Sequence, residues 1–133
     1  MSANKAVGTG ESDLLTLIAQ MSPSLDDQIW AFVSVTEVSN EYVEEYALAT
    51  FREIEGTTLI VPWERAEQFD VCSEPMARIT LNIHSSLEAV GLTAAVSQAL
   101  ASEAISGNVV AGFYHDHIFV PQTAGERAVA CLT

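Results

Sequence analysis

The stretch Phe51-Arg52-Glu53-Ile54-Glu55-Gly56-Thr57-Thr58-Leu59-Ile60-Val61-Pro62 returns in altered form as Phe113-Tyr114-His115-Asp116-His117-Ile118-Phe119-Val120-Pro121. Both begin on an aromatic residue, pass through polar turn chemistry and close on an apolar run that ends in Val-Pro. Both are followed by Glu-Arg-Ala, at residues 64–66 and 126–128. Glu55-Gly56 between two β-rich runs, residues 49–54 and 57–61, reads as a hairpin. The second copy reads as a strand over 108–114, a tight turn at His115-Asp116 and a partner strand over 117–120. Two hairpins of one chemistry, each leading through proline into a short helix, predict a duplicated β-α-β-β-α unit.

The flanking sequence supports the same order twice. Residues 29–35 (IWAFVSV) are apolar, β-branched and aromatic, at strand length. Residues 37–46 are acidic, with Tyr42, Val43 and Tyr46 at helical spacing. Pro62 suits the first turn of a helix over WERAEQF. In the second half, residues 78–84 (RITLNIH) alternate: Ile79, Leu81 and Ile83 share one face, and Thr80, Asn82 and His84 the other. A strand of this kind belongs to a sheet covered on one side. Ser85-Ser86-Leu87-Glu88 has capping-box spacing. A helix then spans 90–103, with Leu92, Val96, Ala99 and Leu100 on one side, and Gly107 marks the reversal after it. The last helix covers 124–132. Upstream, Ser12 caps a helix carrying Leu14, Leu17, Ile18 and Met21, and Ser22-Pro23 ends it. Residues 1–10 form a flexible lead, 11–75 the first unit and 76–133 the second. A unit of some 60 residues is marginal alone, so the two are expected to share a sheet or pack together.

The chain has 133 residues, 49% of them apolar and 8% aromatic, enough for a folded core. Its longest apolar run falls far short of the roughly 18 residues that a membrane span requires. Five basic residues against eighteen acidic give a net charge of −13. That leaves no basic stripe for nucleic acid and no attraction to anionic membranes. The acid is concentrated in residues 1–75, with fourteen acidic against three basic groups, net −11; residues 76–133 carry four against two, net −2. An acidic face of this kind solubilises a protein, or docks a basic partner or divalent cations. Cys72 and Cys131 lie 59 residues apart without CxxC spacing, and residues 1–10 lack an apolar h-region. A reducing cytoplasm is the expected location.

From the strand ITLNIH through Gly91-Leu92, the alanine-rich helix and Ile105-Ser106-Gly107-Asn108-Val109, the second half resembles an ACT domain. HSSLEAVGLTAAV and VVAGFYHDHIFVP are similar to small stand-alone bacterial proteins with tandem ACT domains of the CASTOR-like type. The resemblance extends more loosely over 11–70 through TFREIEGTTLIVP. It implies an α+β protein of two ferredoxin-like units, with antiparallel sheets and helices on one face. It further implies amino-acid binding in a regulatory role, and a homodimer or higher homo-oligomer. One departure is plain: where the ACT loop carries Asp-x-Pro-Gly, this chain has Glu88-Ala89-Val90-Gly91, without the proline.

Two clusters could carry chemistry. A helix N-terminus offers unpaired N–H groups to a carboxylate, and glycine lets a ligand approach closely. The loop Ser85, Ser86, Leu87 and Glu88, the first turn with Gly91, Leu92 and Thr93, and the strand start at Asn108 and Val109 therefore form the first candidate site. The residues alone equally allow Ser85 and Glu88 simply to cap their own helix; the ACT resemblance favours the ligand. The second cluster holds all three histidines, His84, His115 and His117, with Asp116. It reads as hairpin polarity, as a small-ligand contact, or as a metal site needing a third ligand. Neither a metal nor a cofactor is called for. No GxSxG, HExxH, P-loop or GxGxxG motif occurs, so the chain is read as a binding protein rather than an enzyme. Trp30 and Trp63 are read as core or interface anchors.

Overall fold

Strand β1, Pro23–Val35, is the longest in the described part of the chain and starts six residues before the run that its sequence advertises. In the computed structural model, which describes residues 21–82 and 89–133 (backbone only at 89 and 90), a bulge separates Leu25 from Ile29 along this strand. The Asp26 carboxylate accepts the Gln28 amide at 3.1 Å and the Trp30 indole at 3.1 Å. Side-chain bonds thus satisfy the bulge, and acidic residues that look like a breaker sit inside a strand.

After β1, Ser39 caps helix α1 (Asn40–Tyr46) through its hydroxyl to the Tyr42 amide, so the helix is three residues shorter than expected. β2 (Ala49–Arg52) and β3 (Thr57–Pro62) form the expected hairpin, closed by reciprocal bonds between Glu53 and Gly56. A Cβ at Gly56 would lie 2.8 Å from the Val35 carbonyl oxygen, so glycine is demanded by close approach. The helix after Pro62 is a 3₁₀ turn, Trp63–Gln68. A two-residue strand that the sequence did not signal, β4 (Val71–Cys72), follows it and pairs with Val33 and Ser34 of β1.

β5 runs over Met76–Leu81, two residues earlier than expected. Helix α2 covers Ala89–Ser102 and buries Leu92, Val96, Ala99 and Leu100, as their spacing predicted. The left-handed residue of the reversal is Ala104 (φ 56°) rather than Gly107. Gly107 instead makes room, since a Cβ there would meet Leu100 Cδ1 at 2.7 Å. β6 ends at Ala111, and β7 (Asp116–Pro121) begins where a turn was expected. The reversal lies two residues earlier, where the Gly112 amide donates to the His115 carbonyl at 2.9 Å. A 3₁₀ turn (Gln122–Ala124) and helix α3 (Gly125–Cys131) complete the chain. The expected helix over residues 12–21 lies outside the described residues except for Met21, which is fully buried in the core beneath α2 and α3.

All strands join one sheet of order β2-β3-β1-β5-β7-β6, with every described pair antiparallel. The order is palindromic. Each half supplies a hairpin and one central strand, and the central strands β1 and β5 pair with each other. The two ferredoxin-like units therefore share a sheet, and each first strand stands where the other unit needs a fourth. The described helices cover one face. Ala77, Ile79, Leu81, Ile118 and Val120 pack under α2 and α3. Ala31, Val33, Leu59 and Val61 pack with residues of α1 and the 3₁₀ turn. The opposite face holds a third cluster of Ile60, Met76 and Phe119, flanked by Trp30, Phe32, Ala49 and Val110.

Candidate functional site

β5 was expected to deliver its C-terminal end to the mouth of α2. Of the residues proposed there, His84, Ser85, Ser86, Leu87 and Glu88 lie outside the described residues. Gly91 is half-buried and Thr93 exposed in the first turn of α2, while Leu92 is 7% exposed and packs into the core. Asn108 and Val109 are exposed at the start of β6. Register decides what meets what. Asn108 pairs with Phe119, which pairs with Arg78; Ala111 pairs with Asp116, which pairs with Leu81. Asn108 therefore lies three residues, about 10 Å along the strands, from the level at which β5 ends. The groups level with the end of β5 are the β6–β7 hairpin and Pro23 of β1.

The histidine cluster divides between different surroundings. His117 faces the side opposite the described helices, where its Nδ1 shares a hydrogen bond with Thr80 Oγ1 at 3.0 Å. Asp116 is on the helix side of the ladder opposite Leu81, so its carboxylate and the His117 ring do not converge. His115 belongs to the turn, with its carbonyl fixed by Gly112. Burial, then the positive charge of Arg78 and the neighbouring His115, hold the His117 imidazole below its usual pKa, with Asp116 opposing. The ring is thereby favoured neutral near pH 7. Among the described residues no group of three or more His, Cys, Asp or Glu could hold a metal ion.

The most organised polar group of the sheet escaped the sequence reading. Arg78 Nε and Nη2 donate to Asp26 Oδ2 at 3.2 and 2.9 Å, and the same oxygen accepts the Trp30 indole. The guanidinium also lies 5.4 Å from the Trp30 ring centroid. Partial burial pushes the Asp26 carboxyl up, but the Gln28 amide, the Trp30 indole and Arg78 outweigh it, and its pKa falls below the ordinary aspartate value. The available signal was an arginine on the open face of an alternating strand, two residues before Thr80. Such a charge needs a partner, and Asp26 lay 52 residues away. Elsewhere the helix-side groups are structural. Arg65 stacks 3.8 Å over the Tyr46 ring, and burial raises the Cys131 thiol pKa.

Comparison with known proteins settles the family. The ACT-domain family matches twice, over residues 9–78 and again over 76–133. The chain belongs to the ACT-domain family. A crystal structure of a protein of unknown function from Vibrio cholerae, described as a possible transport protein, is 45% identical over 91% of this chain and 94% of that one, with a TM-score of 0.79. A protein from Agrobacterium tumefaciens superposes with a TM-score of 0.66 at 17% identity, covering 79% of this chain and 81% of its own. The ligand-free regulatory subunit of aspartate kinase from Thermus thermophilus gives 0.61 at 11% identity, covering 86% and 95%. The last two likenesses carry the fold. No curated protein matches the chain. Two ACT units in one sheet are thus established, and ACT domains serve as regulatory, ligand-binding modules rather than catalytic ones.

Proposed function

We propose that this protein is a non-catalytic cytoplasmic regulator that binds a small molecule, an amino acid, between ACT units divided at residues 11–75 and 76–133. The observation that carries the reading is the double ACT match over residues 9–133. The ligand carboxylate would take the free amides at the start of α2, with Ser85 or Ser86 as further donors. Glu88 would pair the ammonium, and Leu87, Gly91 and Thr93 would shape the approach. Asn108 and Val109 of a second copy would face that mouth. The reading therefore includes a homodimer. Described residues contain no helix long and apolar enough to cross a membrane.

A thermal-shift screen of the twenty amino acids tests the reading. A ligand at a hundredfold excess over its Kd stabilises the folded state by about 2.7 kcal/mol, several degrees in Tm for a chain of this size. At least one amino acid should raise Tm, and Gly91→Val should abolish the rise. Silence across the panel overturns amino-acid binding, and a monomer by sedimentation at tens of micromolar overturns the shared site. Silence would instead favour an interaction module. That second reading draws on the two hairpin tips, where Phe51, Ile54, Phe113 and Tyr114 are 71 to 100% exposed.

A further inference from the structure

The face of the sheet opposite the described helices is concave, and the curvature makes a pocket. In a flat sheet the outermost strands β2 and β6 would stand about 24 Å apart, five spacings of roughly 4.8 Å. Here Ala49 of β2 and Val110 of β6 both pack on the Ile60–Met76–Phe119 cluster. They line one cavity of about 220 Å³. Its apolar wall is completed by Leu48, Ile60 and Phe119, and its polar groups come from Arg78 and His117.

Those polar groups are positioned in advance. Arg78 commits Nε and Nη2 to a single oxygen of Asp26, and among the described residues Nη1 donates to nothing. Five donors in a rigid fork leave it able to take a second anion. When the Thr80 hydroxyl donates to His117 Nδ1, the ring proton sits on Nε2 and is available to an oxygen in the cavity. Gly112 keeps that nitrogen accessible, because even a Cβ there would lie 3.4 Å from it. Among the described residues no carboxylate lines the cavity. Asp26, the partner of Arg78, already accepts three donors on Oδ2 and the Gln28 amide on Oδ1. An ammonium group would therefore enter beside a guanidinium with nothing to neutralise it.

We propose that this pocket is a second binding site, separate from the mouth of α2, for a small monocarboxylate with a branched or cyclic apolar body and no amino group. The carboxylate sits between Arg78 and His117. The hydrocarbon lies against Ile60, Phe119, Ala49 and Val110. A cavity of about 220 Å³ suits a short branched acid and is smaller than the roughly 300–1,000 Å³ of sites for drug-sized ligands.

The test is an NMR titration of the full chain with sodium 3-methylbutanoate, 3-methylbutanamide and L-leucine, following the His117 imidazole. The acid should move that resonance saturably. The amide and leucine should act on it at least about tenfold more weakly, since a charge-assisted hydrogen bond is lost or an unpaired ammonium is buried. Arg78→Gln should weaken the acid at least about tenfold. Ala49→Phe, which fills the cavity from an edge strand, should abolish binding with the methyl spectrum otherwise retained. Val110→Phe closes the same space from the opposite edge should Ala49→Phe fail to fold. Absence of any His117 shift at roughly 20 mM acid overturns the proposal. So does equal binding of acid and amide, or undiminished affinity in a folded cavity-filling variant. Leucine acting at the mouth of α2 would raise Tm without moving His117, so the two sites are separable.

Discussion

The rings of Phe32 and Phe119 meet edge to face with centroids 5.3 Å apart, although β5 lies between their strands. Strands two apart stand about 9.6 Å apart in a flat sheet, and here the two rings close over β5. Phe119 is 1% exposed, on the face opposite the described helices. Phe119→Ala should cost about 3–5 kcal/mol, and a double-mutant cycle with Phe32→Ala should show a coupling of about 0.5–1.5 kcal/mol. Urea denaturation of the four proteins measures both. Strict additivity would mean that the rings do not touch in solution.

Asp26 gives stability a dependence on acid. Its folded pKa is lowered, so its contribution is complete above the unfolded value of about 3.9 and is lost as pH falls through the folded one. Asp26→Asn should destabilise the protein at pH 7 by about 1–3 kcal/mol, by weakening the charge-assisted bonds to Arg78 and the bulge. Chemical denaturation between pH 7 and 2.5 should show the two proteins converging at the acid end. A constant gap would remove the carboxylate charge from the explanation.

His117 works in the same direction at milder pH. Its folded pKa lies below the ordinary value of about 6.5, so the unfolded chain binds more protons between the two values. The stability it confers is present above about 6.5 and declines as pH falls towards and through the folded value. His117→Asn should flatten that part of the profile. Imidazole titration by NMR checks the cause directly, and a value at or above 6.5 would contradict it.

Two glycines should respond differently to one methyl group. At Gly56 the new Cβ meets a backbone oxygen, Val35 O, at 2.8 Å, and the hairpin must shift as a whole. At Gly107 it meets the terminal carbon of Leu100, which can rotate. Gly56→Ala should cost about 1–3 kcal/mol, and Gly107→Ala less. Thermal melts in parallel decide the order, and the reverse ranking would contradict the geometry.

Local chemistry made much of the fold readable. The alternation Ile79–Leu81 and the helical set Leu92, Val96, Ala99 and Leu100 found the core because each obeys the period of its own element. The repeated hairpin exposed the duplication. Boundaries failed where distant partners override local preference. Asp26 looks like a breaker until Arg78 arrives from another strand. β4 is too short to show a period. The β6–β7 turn moved because Asp116 is held in register by Leu81 and Ala111. The binding chemistry of the concave face was less legible still. Arg78, His117, Ala49 and Val110 come together only through sheet curvature, which leaves no mark on any single segment.

The pairing of β1 with β5 governs how the molecule comes apart. Residues 71–81 run almost unbroken along one edge of β1, since Ser73 bridges the gap by donating its amide to the Phe32 carbonyl and accepting the Phe32 amide on its hydroxyl. Without the other half, β1 or β5 would lie at the margin of its own three main strands. An isolated half would expose a long strand edge, a template for recruiting a neighbouring chain. Heating the intact protein should accordingly melt both halves in a single cooperative transition, with calorimetric and van't Hoff enthalpies equal. The duplication produced a single folding unit.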